Sequence, residues 1–115
     1  MEDANKIEQA IDGVAEGIVQ PSELQKLLKV EHRPAVLRNV AAELYRMQAI
    51  YNGAPDDHPY KKQAHERMPG LMRVISALGG NTIPVDTDNA LLARYWVLDA
   101  SGATIPDNVV IDWQS

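Results

Sequence analysis

At 115 residues, 45% hydrophobic and 23% charged, the chain has the composition of a single globular domain, and it can bury roughly 65% of its unfolded surface without covalent staples. The absence of Cys excludes disulfides, thiolate zinc sites and cysteine nucleophiles, and no run reaches the roughly 18 apolar residues of a membrane span. A net charge of −5 argues against a general nucleic-acid binder, which usually has a high pI.

The first segment, residues 3–19, reads as a helix with Ile7, Ile11, Val14 and Ile18 on one face. Glu2 and Asp3 sit where the helix dipole favours negative charge. Gly13 and Gly17 share one side, either as tolerated surface glycines or as a place where another backbone comes close. Gln20-Pro21 breaks the pattern, and Ser22 with Gln25 reads as a capping box opening a short helix to about Val30, with Leu24, Leu27 and Leu28 inward.

Pro34 to Tyr51 is the longest clean helical signal, and the other segments are expected to pack on it. Pro34 suits a first helical position, and Asn52-Gly53 offers a left-handed terminus. Val36, Val40, Leu44, Met47 and Tyr51 recur every three or four residues, and Leu37, Ala41 and Ile50 widen that stripe. Arg38, Asn39, Ala42 and Arg46 fill the opposite face. After the turn-rich GAPDDHP loop, helical periodicity resumes at Tyr60 and is interrupted by Pro69, which predicts helices at about 60–67 and 69–78, kinked or separated. Gly79-Gly80 closes the second.

Residues 81–89 read as a loop, and residues 88–93 fit either a helical turn or a strand. Arg94 to Leu98 is aromatic and branched, as strands are. Asp99 to Gly102 matches a type I turn, with Ala103 to Ile105 returning. Val109, Ile111 and Trp113 alternate as one strand face. The expected architecture is therefore α+β and predominantly helical: one domain over residues 1–115, with four to five packed helices at about 3–78. A small antiparallel hairpin or meander follows at about 92–114.

Charge is unevenly placed: −4 over residues 1–20, +2 over 21–51, +1 over 52–78 and −4 over 79–115. The mildly basic middle contains SELQKLLKVEHRPAVLRNVAAEL, which resembles a bacterial helix-turn-helix, although Lys29 stands where glycine is common. His32, Arg33, Arg38, Asn39 and Arg46 are the candidate DNA or partner contacts, since a recognition helix needs polar and basic groups near its start. His32, His58 and His65 lack the spacing of a metal site and read as solvated or capping groups. Asp56, Asp57 and Glu66 read as solvated carboxylates, and nothing pairs a base with a nucleophile. Neither catalysis nor a cofactor is expected.

Tyr95, Trp96 and Trp113 are the candidate protein-contact residues, because Tyr and Trp dominate interface hot spots. The C-terminal strands could also add an edge to another chain. The expectation is a cytoplasmic, non-catalytic binding or assembly protein with a protein partner or a second copy of itself. It would suit a bacterial or bacteriophage accessory factor, such as an inhibitor, adaptor or assembly factor. A helix-turn-helix regulator is the alternative.

Overall fold

The computed structural model describes residues 2–84 and 95–106. Among these residues, four α-helices are followed by a two-stranded antiparallel sheet: α1 (Glu2–Glu16), α2 (Pro21–Leu27), a 3₁₀ turn (Val30–His32), α3 (Arg33–Gly53), α4 (Pro59–Ala77), β1 (Asn81–Pro84) and β2 (Tyr95–Leu98). The protein is α+β and predominantly helical. No helix among the described residues is long and apolar enough to cross a membrane. The expected strand at Val109 to Trp113 and the helix-or-strand ambiguity at 88–93 lie outside the described residues.

Helix α1 ends earlier than its apolar pattern predicts. Gly17 takes a left-handed φ of 79°. Ile18 N–H then bonds to Gly13 C=O at 2.8 Å and Gly17 N–H to Val14 C=O at 3.1 Å. This is a Schellman terminus, which only glycine forms without strain. Ile18 is consequently 76% exposed rather than inward. Gly13 leaves room for Val19, whose side chain folds back over it. The close helix–helix approach is elsewhere: a Cβ on Gly70 of α4 would lie 2.5 Å from the Ala15 carbonyl oxygen.

The expected capping box at Ser22 does not form. Pro21 takes the first helical position and Gln20 the N-cap, so Ser22 lies inside the helix. Gln25 reaches away and donates from Nε2 to Ala77 C=O at 2.9 Å. The helix ends at Leu27, which is 41% exposed, while Leu24 and Leu28 are buried. Helix α3 runs past Asn52, and Gly53 is helical rather than left-handed. Ala54 stops it in an extended conformation (ψ 147°), the geometry Pro55 imposes on the residue before it.

Pro69 neither splits nor ends α4, which is one continuous helix. Its pyrrolidine faces solvent while Gly70 and Leu71 beside it are buried. Packing on that inner side holds the helix through the missing bond to His65 C=O. Helix α4, not α3, is the element most others touch: α1, α2, α3 and β1 all pack on it. Small residues let them approach, since Ala64, Gly70 and Ala77 are all buried. Gly79, with φ 88°, and Gly80 close α4 in a second Schellman terminus, Gly80 N–H bonding to Ile75 C=O at 3.0 Å.

Each helix C-terminus is met by a side-chain donor from another element. Arg73 donates to Ala15 C=O of α1 at 2.6 Å. Arg33 donates to Gln25 C=O of α2 at 2.9 Å, Lys61 to Tyr51 C=O of α3 at 2.9 Å, and Gln25 to Ala77 C=O of α4. These carbonyls have no intrahelical partner and carry the negative end of the helix dipole, so donors and cations there are favourable.

The expected loop at 81–89 is a strand over Asn81–Pro84, so the β element begins about ten residues before the expected start at 92. Asn81 pairs with Leu98, Thr82 with Val97, Ile83 with Trp96 and Pro84 with Tyr95. Asn and Pro are poor strand formers, so β1 has little strand character of its own. The ladder from β2 supplies it, and among the described residues β1 is an edge, where Pro is tolerated. After β2 the expected turn forms. Gly102 N–H bonds to Asp99 C=O at 3.0 Å with Gly102 left-handed at φ 87°, and the chain returns through a Leu98–Thr104 bridge. One core cluster joins the helices to the β element through Val97 and Ile105.

Candidate interaction surfaces

The second edge of β2 is completed by two side chains of α3. In an extended strand the N–H and C=O of one residue point to the same edge, and alternate residues point to opposite edges. Tyr95 and Val97 therefore face away from β1. Val97 C=O accepts from Ile105 N–H at 2.8 Å. The reciprocal bond is interrupted by Tyr45, whose hydroxyl accepts from Val97 N–H at 2.9 Å and donates to Ile105 C=O at 2.6 Å. One step along, the Gln48 amide bonds both polar groups of Tyr95, accepting from its N–H at 2.9 Å and donating to its C=O at 3.2 Å. Tyr45 is 1% exposed and Gln48 8%, and these partners are what make their burial tolerable.

The outer edge of β1 is short of donors. Thr82 and Pro84 face outward. Thr82 N–H is taken by its neighbour Asn81 Oδ1 at 2.9 Å, and Pro84 has no N–H. An incoming strand would find no backbone donor on these two residues, which is how natural sheets blunt an exposed edge.

Trp96 and Ile83 stand opposite each other on one face of the hairpin and remain 40% and 39% exposed. The Trp96 ring meets Tyr45 edge-on at 6.3 Å between centroids, so the indole is braced from beneath. Tyr95, the other described contact candidate, is half-buried against the core and its backbone is engaged by Gln48. Trp113 lies outside the described residues.

The basic candidates differ in their surroundings. Arg33 is half-buried, its guanidinium donating to Leu28 C=O at 3.2 Å and Gln25 C=O at 2.9 Å. His32 is exposed in the 3₁₀ turn. Arg38, Asn39 and Arg46 are exposed on α3, with the two arginines about 12 Å apart along the axis. Arg38 also lies near Asp99 and helps hold its carboxylate ionised. Helix α2 packs on α1 and α4.

Several other ionisable groups have partners within the fold. His58 is the N-cap of α4, its Nδ1 accepting from Tyr60 N–H at 3.1 Å. His65 stacks on Tyr51 at 5.1 Å. Asp56 pairs with Lys61 at 3.3 Å. Arg67 joins three helices, bonding Glu43 of α3 at 3.1 Å and Asp12 of α1 at 3.5 Å. Among the described residues, no three His, Asp or Glu are grouped to hold a metal ion. Asp99 Oδ1 accepts from Ser101 N–H at 2.9 Å, from Ala103 N–H at 3.0 Å and from the Ser101 hydroxyl.

No protein-family model matches the chain, and no curated protein or solved structure shows significant similarity to it.

Proposed function

We propose that this protein is a non-catalytic contact domain, an adaptor, inhibitor or assembly factor that acts by binding another protein. The observation that carries this reading is the Ile83–Trp96 pair, two large apolar side chains exposed side by side on a braced sheet face. Indole buries much area at low entropic cost and is enriched in interface hot spots. A second copy of the chain is one partner that such a face could take.

Light scattering and capture of binding proteins, compared between the wild type and Trp96→Ala/Ile83→Ser, test it. The variant is expected to stay folded, because both groups are exposed, and to lose partner capture or self-association by roughly thirtyfold, the size of a hot-spot loss. Undiminished capture and association by the variant would overturn the reading.

The helix-turn-helix alternative draws less support. Arg33 is engaged in closing α2, and α2 has its main packing on α1 and α4. Its test is DNA retention at about 50 mM salt, where phosphate contacts are strongest, with Arg38→Ala and Arg46→Ala as probes.

A further inference from the structure

We infer that the groove between α1 and α3 is a docking site for a basic amphipathic helix of a partner protein. Both helices rest on α4, and the space between them is an open groove of about 530 Å³. Its floor is apolar: Ile7 and Ile11 from α1, Val36 and Val40 from α3. Each pair is spaced i, i+4, so the two rows run along the groove like the facing sides of a helix bundle with one helix missing.

The rim decides the occupant. Among the described residues, Glu8, Asp12 and Glu43 line it, against one cation, Arg67. Arg67 already bonds both Asp12 and Glu43, so the rim keeps a net negative charge. A second copy presenting this same face would set carboxylates against carboxylates, and a nucleic acid would be repelled. A helix supplies its own backbone bonds and needs only an apolar stripe with flanking charges. Leu-class side chains at i and i+4 would fill the floor, and Lys or Arg beside them would reach Glu8 and Glu43. The proposal extends the contact reading to a second face, separate from Trp96, and names its partner chemistry.

The probe is a 16-residue synthetic helix with Leu at i, i+4, i+7 and i+11 and Lys on both flanks, titrated into the isotope-labelled full chain. Its control has every Lys replaced by Glu. Amide shifts confined to α1 and α3, with the Lys peptide binding at least about tenfold more tightly, are expected. Glu8→Lys/Asn39→Lys changes two exposed rim positions outside the Arg67 network. It should weaken the Lys peptide about tenfold and restore binding of the Glu peptide. No shifts in α1 and α3, or equal binding of the Lys peptide to wild type and variant, would overturn the proposal. Shifts at the Trp96 indole alone would overturn the groove while retaining the contact reading.

Discussion

Gln48 and Tyr95 are joined as two residues of neighbouring strands would be, with a side-chain amide in place of the second backbone: both the N–H and the C=O of Tyr95 bond to the one Gln48 amide. Replacing Gln48 by Glu keeps the acceptor but sets a carboxylate against the Tyr95 carbonyl. Because Gln48 is buried, the ionised Glu is costly and its pKa should rise. The variant should lose about 2–3 kcal/mol at neutral pH and recover part of that as pH falls and the protonated acid can donate again. Urea midpoints across pH check it; a pH-independent loss would count against the paired geometry.

Tyr45→Phe removes a hydroxyl that serves two buried backbone groups, Val97 N–H and Ile105 C=O. The ring still fills the core, so the loss is mostly polar and should be about 2–3 kcal/mol. Amide exchange at Val97 should accelerate more than at Trp96, whose N–H belongs to the β1 ladder. Equal acceleration at both would mean that the whole sheet, not the hydroxyl contact, had been lost.

Two neighbouring substitutions in α4 should act in opposite directions. Pro69→Ala restores a helical N–H facing solvent and should stabilise by about 1–2 kcal/mol. Gly70→Ala is better for helix propensity, yet its Cβ would meet the Ala15 carbonyl at 2.5 Å. Overpacking of that kind costs about 1–3 kcal/mol and should win. Thermal melts of both variants measure the signs.

The Asp99 carboxylate is held below its ordinary pKa of 3.8, first by the Ser101 hydroxyl, then by the Ala103 amide, with further help from Ser101 N–H and Arg38. Its folded pKa is lower than its unfolded one. Its contribution to stability is therefore fully present above the unfolded value and is lost as pH falls through the folded value. Asp99→Asn should flatten this part of the acid-unfolding profile. A profile unchanged in the variant would show that other carboxylates account for it.

The helices are legible in the sequence because periodicity and punctuation are local: Pro34 at the start of α3 and the Asp99–Gly102 turn involve nearest neighbours only. Sequence reading fails where a distant group decides. Ser22 loses the cap because Pro21 is better suited to the first turn, and Gln25 serves a carbonyl 52 residues away instead. β1 has no strand pattern of its own and takes one from β2. The mildly basic middle has a similar explanation. Arg33, Lys61 and Arg73 close helix ends and Arg67 ties three helices, so much of that charge is internal to the fold. Tyr45 falls outside the apolar stripe and Gln48 is a polar residue, so neither signalled that together they would hold the sheet.

That substitution of side chains for a strand also bears on the order of folding. Tyr45 lies 52 residues from Val97, and Gln48 lies 47 from Tyr95. The β2 edge facing them cannot be satisfied until α3 has docked, and such long loop closures come late. The helices should therefore assemble first and the hairpin condense on them afterwards. In kinetic terms Tyr45→Phe should speed unfolding and leave the folding rate nearly unchanged, the mark of a contact made after the barrier. A chevron whose folding arm moved instead would place the hairpin in the nucleus.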